Sequence, residues 1–163
     1  STATDKLLNA TQSGKIKTIT PDLTTHFEDD MVELEKWESN KPISAIYYEG
    51  EKDKYYIKRF VIDHPDKEEF FISEHPKTQL QIVVTDYRPN VEVVFSKRNI
   101  ENLVIDLEDF IAVKGIKALG NQLTDDKIKL VNRLEPSPYS PAENDIEVED
   151  EEEVNNDGQP RLF

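Results

Sequence analysis

Residues 110–123, FIAVKGIKALGNQL, hold the cations best placed to meet a phosphate: Lys114 beside Gly115, then Lys117 ahead of Gly120. Glycine lets a backbone take positive φ or lie close to another surface, and each lysine carries a mobile point charge. Phe110, Ile111 and Val113 form a short apolar run before them, the pattern of a buried strand. A strand running into a basic turn offers a phosphate contact, although ordinary turn formation accounts for the same glycines. Other cations stand in similar places. Lys15 and Lys17 alternate with Ile16 and so share one face of a strand, Lys58 and Arg59 follow Tyr55 and Tyr56, and Arg88, Lys97 and Arg98 recur near turns. Set around a common axis, such turns would line one rim and track a DNA backbone, in a contact that ignores base sequence and falls steeply with salt. The plain alternative is a solvated surface of alternating charge, in a chain of which 33% is charged.

Enzymatic chemistry finds less support. The histidines are His26, His64 and His75, there is no cysteine, and no serine sits on a Gly-x-Ser-x-Gly elbow. His26 lies near Glu28, Asp29 and Asp30, types that can hold a divalent cation, but an acidic loop with an incidental histidine is by far the plainer reading. His64-Pro65 and His75-Pro76 read as turns. The five glycines are scattered and build no phosphate loop. Without cysteine there is neither a disulfide framework nor a thiolate metal site. No apolar run nears the roughly 20 residues that cross a bilayer, and the expectation is a cytoplasmic, nucleoid-associated chain. It opens on Ser1 rather than Met, which reads as a piece of a longer protein.

The elements that must position these cations read as mostly β. Runs at 7–10 and 15–19 flank Gln12-Ser13-Gly14, and runs at 43–48 and 55–62 flank Glu49-Gly50-Glu51, two hairpins. Further strands are expected at 31–37, 69–73, 80–85, 91–95, 103–107 and 111–113. Residues 20–30 read as a loop, with or without one helical turn, and 127–134 as either a strand or a short helix. Some nine or ten short strands indicate a sandwich, a barrel or a radial repeat. A motif of apolar run, polar turn and basic strand begins near residues 7, 46 and 82, close to the period of about 40 of propeller blades.

Net charge is −14, unevenly spread. Nine of the 34 acidic residues and one of the 20 basic ones fall in 136–163, leaving 25 acidic against 19 basic in 1–135. Residues 1–135 thus read as a mildly acidic folded domain whose DNA contact must come from a local face. Residues 136–163, with Pro136, Pro138 and Pro141 and then the acidic run, read as a flexible acidic tail.

LLNATQSGKIKTI (7–19), YYIKRF (55–60), TQLQIVVTDYRPNVEVVF (78–95) and FIAVKGIKALGNQL together resemble the C-terminal region of the bacterial topoisomerase IV A subunit, the sibling of the gyrase A subunit. The resemblance covers most of 5–135. It implies an all-β, propeller-like β-pinwheel of about three to four blades whose outer rim binds and bends duplex DNA. Lys15, Lys17, Lys58, Arg59, Lys114 and Lys117 would be rim contacts. The parent would be an ATP-dependent type II topoisomerase, its ATP and Mg handled by the catalytic core and the partner B subunit. Its active-site tyrosine would lie outside this chain, which alone is expected to be inactive and without cofactor. The glutamine-arginine-glycine-rich box of gyrase is missing, which favours decatenation and relaxation over supercoiling. The acidic tail would fold back on the rim and compete with DNA, or simply solubilise. Gln159, Leu162 and Phe163 in QPRLF resemble the Gln-x-x-Leu-Phe peptides that dock on the replication sliding clamp. The competing reading is a propeller or sandwich interaction domain whose tail recruits such a partner.

Overall fold

The two hairpins read from the sequence seed two of three sheets. The computed structural model describes residues 6–20 and 29–139. Strands β1 (Leu7–Thr11) and β2 (Lys15–Ile19) pair antiparallel, joined by a turn in which Gly14 takes φ 92°. β3 (Met31–Lys36) adds to the far edge of β1, so the first sheet runs β3-β1-β2 and ends on the short strand β6 (Glu69–Phe70). The second hairpin, β4 (Ile43–Glu49) and β5 (Lys54–Phe60), centres another sheet, with β7 (Gln79–Val84) on the free edge of β4. The positive φ in that hairpin, 54°, falls on Asp53 rather than on Gly50. The third sheet places β8 (Asn90–Phe95) between β9 (Leu103–Asp106) and β12 (Ile128–Arg133). Within residues 127–134, open between helix and strand in the sequence, Ile128–Arg133 is strand.

The outer edge of β5 is shared by two partners. β10 (Val113–Lys114) runs parallel to Arg59 and Phe60, while β11 (Asn121–Thr124) runs antiparallel to residues 55–57. The turn between them depends on Gly120, at φ 90°, where a Cβ would stand 2.3 Å from the Ile57 carbonyl oxygen.

The middle sheet is packed on both faces, and alternation sorts its side chains between two cores. Ile43, Ala45, Tyr47, Tyr56 and Phe60 join Leu8, Ala10 and Ile16 of the first sheet, with Phe71 and Ile116. Ile46, Tyr55 and Ile57 join Val91, Val93, Phe95, Ile105 and Ile128 of the third. The near-continuous apolar character of β4 follows, since a strand covered on both sides has no solvent face.

Three expectations change. Phe110 does not lie in a buried strand: it ends a one-turn helix, α1 (Leu107–Phe110), and is 42% exposed. Asp106 caps that turn by accepting from the Glu108 and Asp109 backbone N–H groups, a local bond that competes with strand pairing. The motif that begins near residue 82 is built differently from those near 7 and 46. β7 pairs with β4, β8 pairs with β9 and β12, and the turn at 87–90 carries the chain from one sheet to the next. Finally, β11 was not foreseen, because Asn121-Gln122-Leu123-Thr124 carries little β-branched or apolar character.

Beyond β12 the chain stays attached past Pro136. Ser137 donates its N–H to the Arg88 carbonyl at 2.9 Å, and the Tyr139 ring stacks on Tyr87 with centroids 4.4 Å apart. The expectations for His26 and for the acidic run from 140 onward lie outside the described residues. The described residues are all-β apart from α1 and form three sheets with no closed barrel, an arrangement consistent with a β-pinwheel fragment.

Candidate nucleic-acid interface

Because β5 is covered on both faces, its two adjacent cations point into different cores. Lys58 is 2% exposed; its Nζ donates to the Phe71 carbonyl at 2.7 Å and the Ile116 carbonyl at 2.6 Å, and lies 5.1 Å from the Phe60 ring centroid. Arg59, on the other face, donates from Nε to Ser44 Oγ at 2.9 Å and from Nη2 to the Tyr87 carbonyl at 2.8 Å. Burial lowers the Arg59 guanidinium below the ordinary arginine value, with Glu108 and Asp106 opposing that shift. Lys114 is buried as well, on β10 beside β5. A DNA backbone cannot reach these three side chains in this fold, so their expected rim role gives way to a structural one. Lys58 and Arg59 tie loops to the middle sheet.

The glycine-bracketed turn at 115–120 is held from beneath in the same way. Ile116 gives its carbonyl to Lys58, and Leu119 gives its carbonyl to the Tyr47 hydroxyl at 2.5 Å. Burial first, then the Glu49 charge and Tyr56, push the Tyr47 hydroxyl well above the ordinary tyrosine range, so it remains a donor. An open cleft of about 300 Å³ lies under the turn, and Glu49 lines it with Lys58 and Lys117. Glu49 is itself buried and accepts from Ser73 Oγ, Thr78 Oγ1 and the Glu51 N–H. A carboxylate at that depth disfavours a phosphate inside the cleft, and of the two cations that line it only Lys117 is exposed.

Lys15 and Lys17 do share one face of β2, both half-buried, and Lys17 lies 3.5 Å from Glu68. His64 and His75 sit in turns: the His64 carbonyl accepts from the Lys67 N–H, and His75 Nδ1 accepts from the Lys77 N–H. Gln159, Leu162 and Phe163 lie outside the described residues.

The structure assembles a second set of cations that local sequence spacing does not reveal. The β8–β9 turn carries Lys97 and Arg98, and Ser96 beside them donates its N–H to the Lys127 carbonyl at 2.9 Å. Lys129 follows at a register shift where β12 meets β8, and Lys77 shares a groove with Lys127. All five are exposed, and among the described residues none forms an ion pair. Lys6, Lys17, Lys41, Arg88 and Arg133, by contrast, are matched with carboxylates. An unmatched cation has no carboxylate to displace on meeting a phosphate. Only Lys97 and Arg98 were legible as turn cations; their proximity to Lys127 and Lys129 depends on the long-range pairing of β12 with β8.

Three sheets of short strands, built around a doubly covered centre and carrying basic turns, define a β-rich module. Residues 2–135 match the family model described as topoisomerase C-terminal domain, Bacteroidota, and the chain belongs to that bacterial family. It is a topoisomerase-associated module, and the enzyme to which such a domain belongs is an isomerase. Comparison with curated proteins returned no match. Among the described residues, no helix is long and apolar enough to cross a membrane.

Proposed function

We propose that this chain is the DNA-geometry module of a type II topoisomerase A subunit of the topoisomerase IV kind, holding duplex DNA by its backbone. The observation that carries this reading is the set of five exposed, unpaired cations, with Lys77, Lys97, Arg98 and Lys127 on turns or just beside them and Lys129 at the start of β12. Lys15, Lys17 and Lys117 supply further surface charge, while Lys58, Arg59 and Lys114 hold the scaffold. In the parent enzyme, decatenation and relaxation would use ATP hydrolysed by the B subunit, Mg in the core, and a catalytic tyrosine outside this chain. The module would bind without cleaving. Its place would be the cytoplasm, at the nucleoid, with the acidic tail competing for the cationic surface and Gln159, Leu162 and Phe163 offering a sliding-clamp contact.

Binding of the full chain to duplex DNA across a salt series tests this reading. Changing Lys97 and Arg98 together to glutamate is expected to weaken binding and to lower the log–log salt slope by about 1 for each phosphate no longer engaged. Absence of binding at low salt would reject it. That result would favour the protein-interaction reading, for which the edge strand β9 supplies an observation: Val104 is 64% exposed, with Leu103 and Phe110 near it.

A further inference from the structure

Between the tip of the β4–β5 hairpin and the β11–β12 turn lies an open groove of about 550 Å³ that joins aromatic and cationic side chains. Tyr48 and Tyr55 meet edge to face in it, ring centroids 5.1 Å apart. Tyr55 is buried, so it acts as the wall that fixes the orientation of the half-exposed Tyr48 ring. The Tyr48 hydroxyl donates to Asp53 Oδ1 at 2.7 Å, which pins the far end of the ring and also engages one groove carboxylate. Lys77 and Lys127 line the groove, and Gln79 adds an amide with both a donor and an acceptor.

We propose that this groove receives an unpaired nucleobase of DNA, stacked on Tyr48, with the flanking phosphates on Lys77 and Lys127. The proposal rests on the DNA-binding reading above and refines it. Three features favour a base over a simple anion or a peptide. A ring fixed at two points presents a flat π-surface with little rotamer freedom to lose, as stacking requires. The cations belong to the unpaired set already assigned to the phosphate backbone. Asp125, the remaining groove carboxylate, suits an exocyclic amine but repels a phosphate, so the groove takes a base edge where the cations take the backbone. The preferred DNA is therefore one with a gap or an extrahelical base. A purely electrostatic surface favours the opposite, since duplex DNA carries the denser charge.

The test compares an intact duplex with the same duplex carrying a single-nucleotide bulge of 2-aminopurine, each titrated with the full chain. Expected are about tenfold tighter binding of the bulged DNA and quenching of the 2-aminopurine emission, as a stacked aromatic partner gives. Tyr48→Ala should abolish both while leaving affinity for intact duplex unchanged; Tyr48→Phe, which keeps the ring, should retain the preference. Equal affinity for the two DNAs without quenching overturns the groove and leaves duplex binding standing. Quenching that persists in Tyr48→Ala also overturns it, because the stacking partner is then another residue. No binding to either DNA overturns the groove and the DNA reading together.

Discussion

Lys58 and Arg59 are consecutive in the chain, yet one bridges the Phe71 and Ile116 carbonyls and the other reaches Ser44 and the Tyr87 carbonyl on the opposite side of the sheet. Each buried charge is compensated by dipoles, and each fixes a loop that crosses between sheets. A pair of cations following two tyrosines looks like a surface feature only while one face of β5 is taken to be solvent.

Lys58→Ala leaves two buried carbonyls without their donor. The expected loss is about 2–4 kcal/mol of unfolding free energy, read from urea denaturation. Lys58→Met, which keeps the apolar stem, should lose most of the same amount. A loss below about 0.5 kcal/mol, the level of ordinary surface substitutions, would place Lys58 at the surface and restore it as a rim candidate.

Gly120 tests the turn independently of charge. Its φ of 90° and the 2.3 Å approach to the Ile57 carbonyl oxygen leave no room for a side chain. Gly120→Ala should therefore destabilise by about 1–3 kcal/mol, with the Tm falling accordingly. An unchanged Tm would show that the turn relaxes freely.

Tyr47 gives a pH dependence of definite sign. Its folded-state pKa is raised, chiefly by burial and then by Glu49 and Tyr56, above the value of about 10 expected unfolded. The folded state then binds more protons than the unfolded state above that pH. The contribution is fully present below about pH 10 and is lost as pH rises further. Tyr47→Phe should flatten the alkaline limb of the stability curve, at a cost of about 1 kcal/mol for the bond to Leu119. Tyr56, also raised mainly by burial, leaves a residual slope. An alkaline limb unaltered in the variant would assign the effect elsewhere.

Tyr139 reports on the segment after Pro136. Tyr139→Ala removes the stack on Tyr87, worth about 0.5–1.5 kcal/mol beyond burial, and should speed exchange of the Ser137 amide. Unchanged exchange would mean that the hydrogen bonds from Asn90 and Ser137 hold the segment alone.

Much of the fold was legible because period-2 alternation and turn chemistry are local. Gly14 at φ 92°, the pairing of residues 43–49 with 54–60, and the shared face of Lys15 and Lys17 all follow from neighbouring residues. What escaped depends on distant pairing. Nothing within YYIKRF announces that sheets cover both of its faces, so the burial of Lys58 and Arg59 could not be read there. The five-cation surface likewise exists only because Ile128 pairs with Phe95. The one-turn helix was missed for a different reason: Asp106-Leu107-Glu108-Asp109 carries a capping signal that the apolar run after it overshadowed.

The divided edge of β5 also has a consequence in time. The strand leaves the ribosome with its outer hydrogen-bonding groups bare, because Val113, which pairs beside Arg59, is made some fifty residues later. At synthesis rates of about 5–20 residues per second, that interval lasts roughly 3–10 s. For that time Tyr55-Tyr56-Ile57 borders an open ladder, the kind of edge that recruits a second nascent chain. Lys58 and Arg59 punctuate this stretch with charge, so two cations that finish inside the fold are, before it closes, placed as gatekeepers against aggregation.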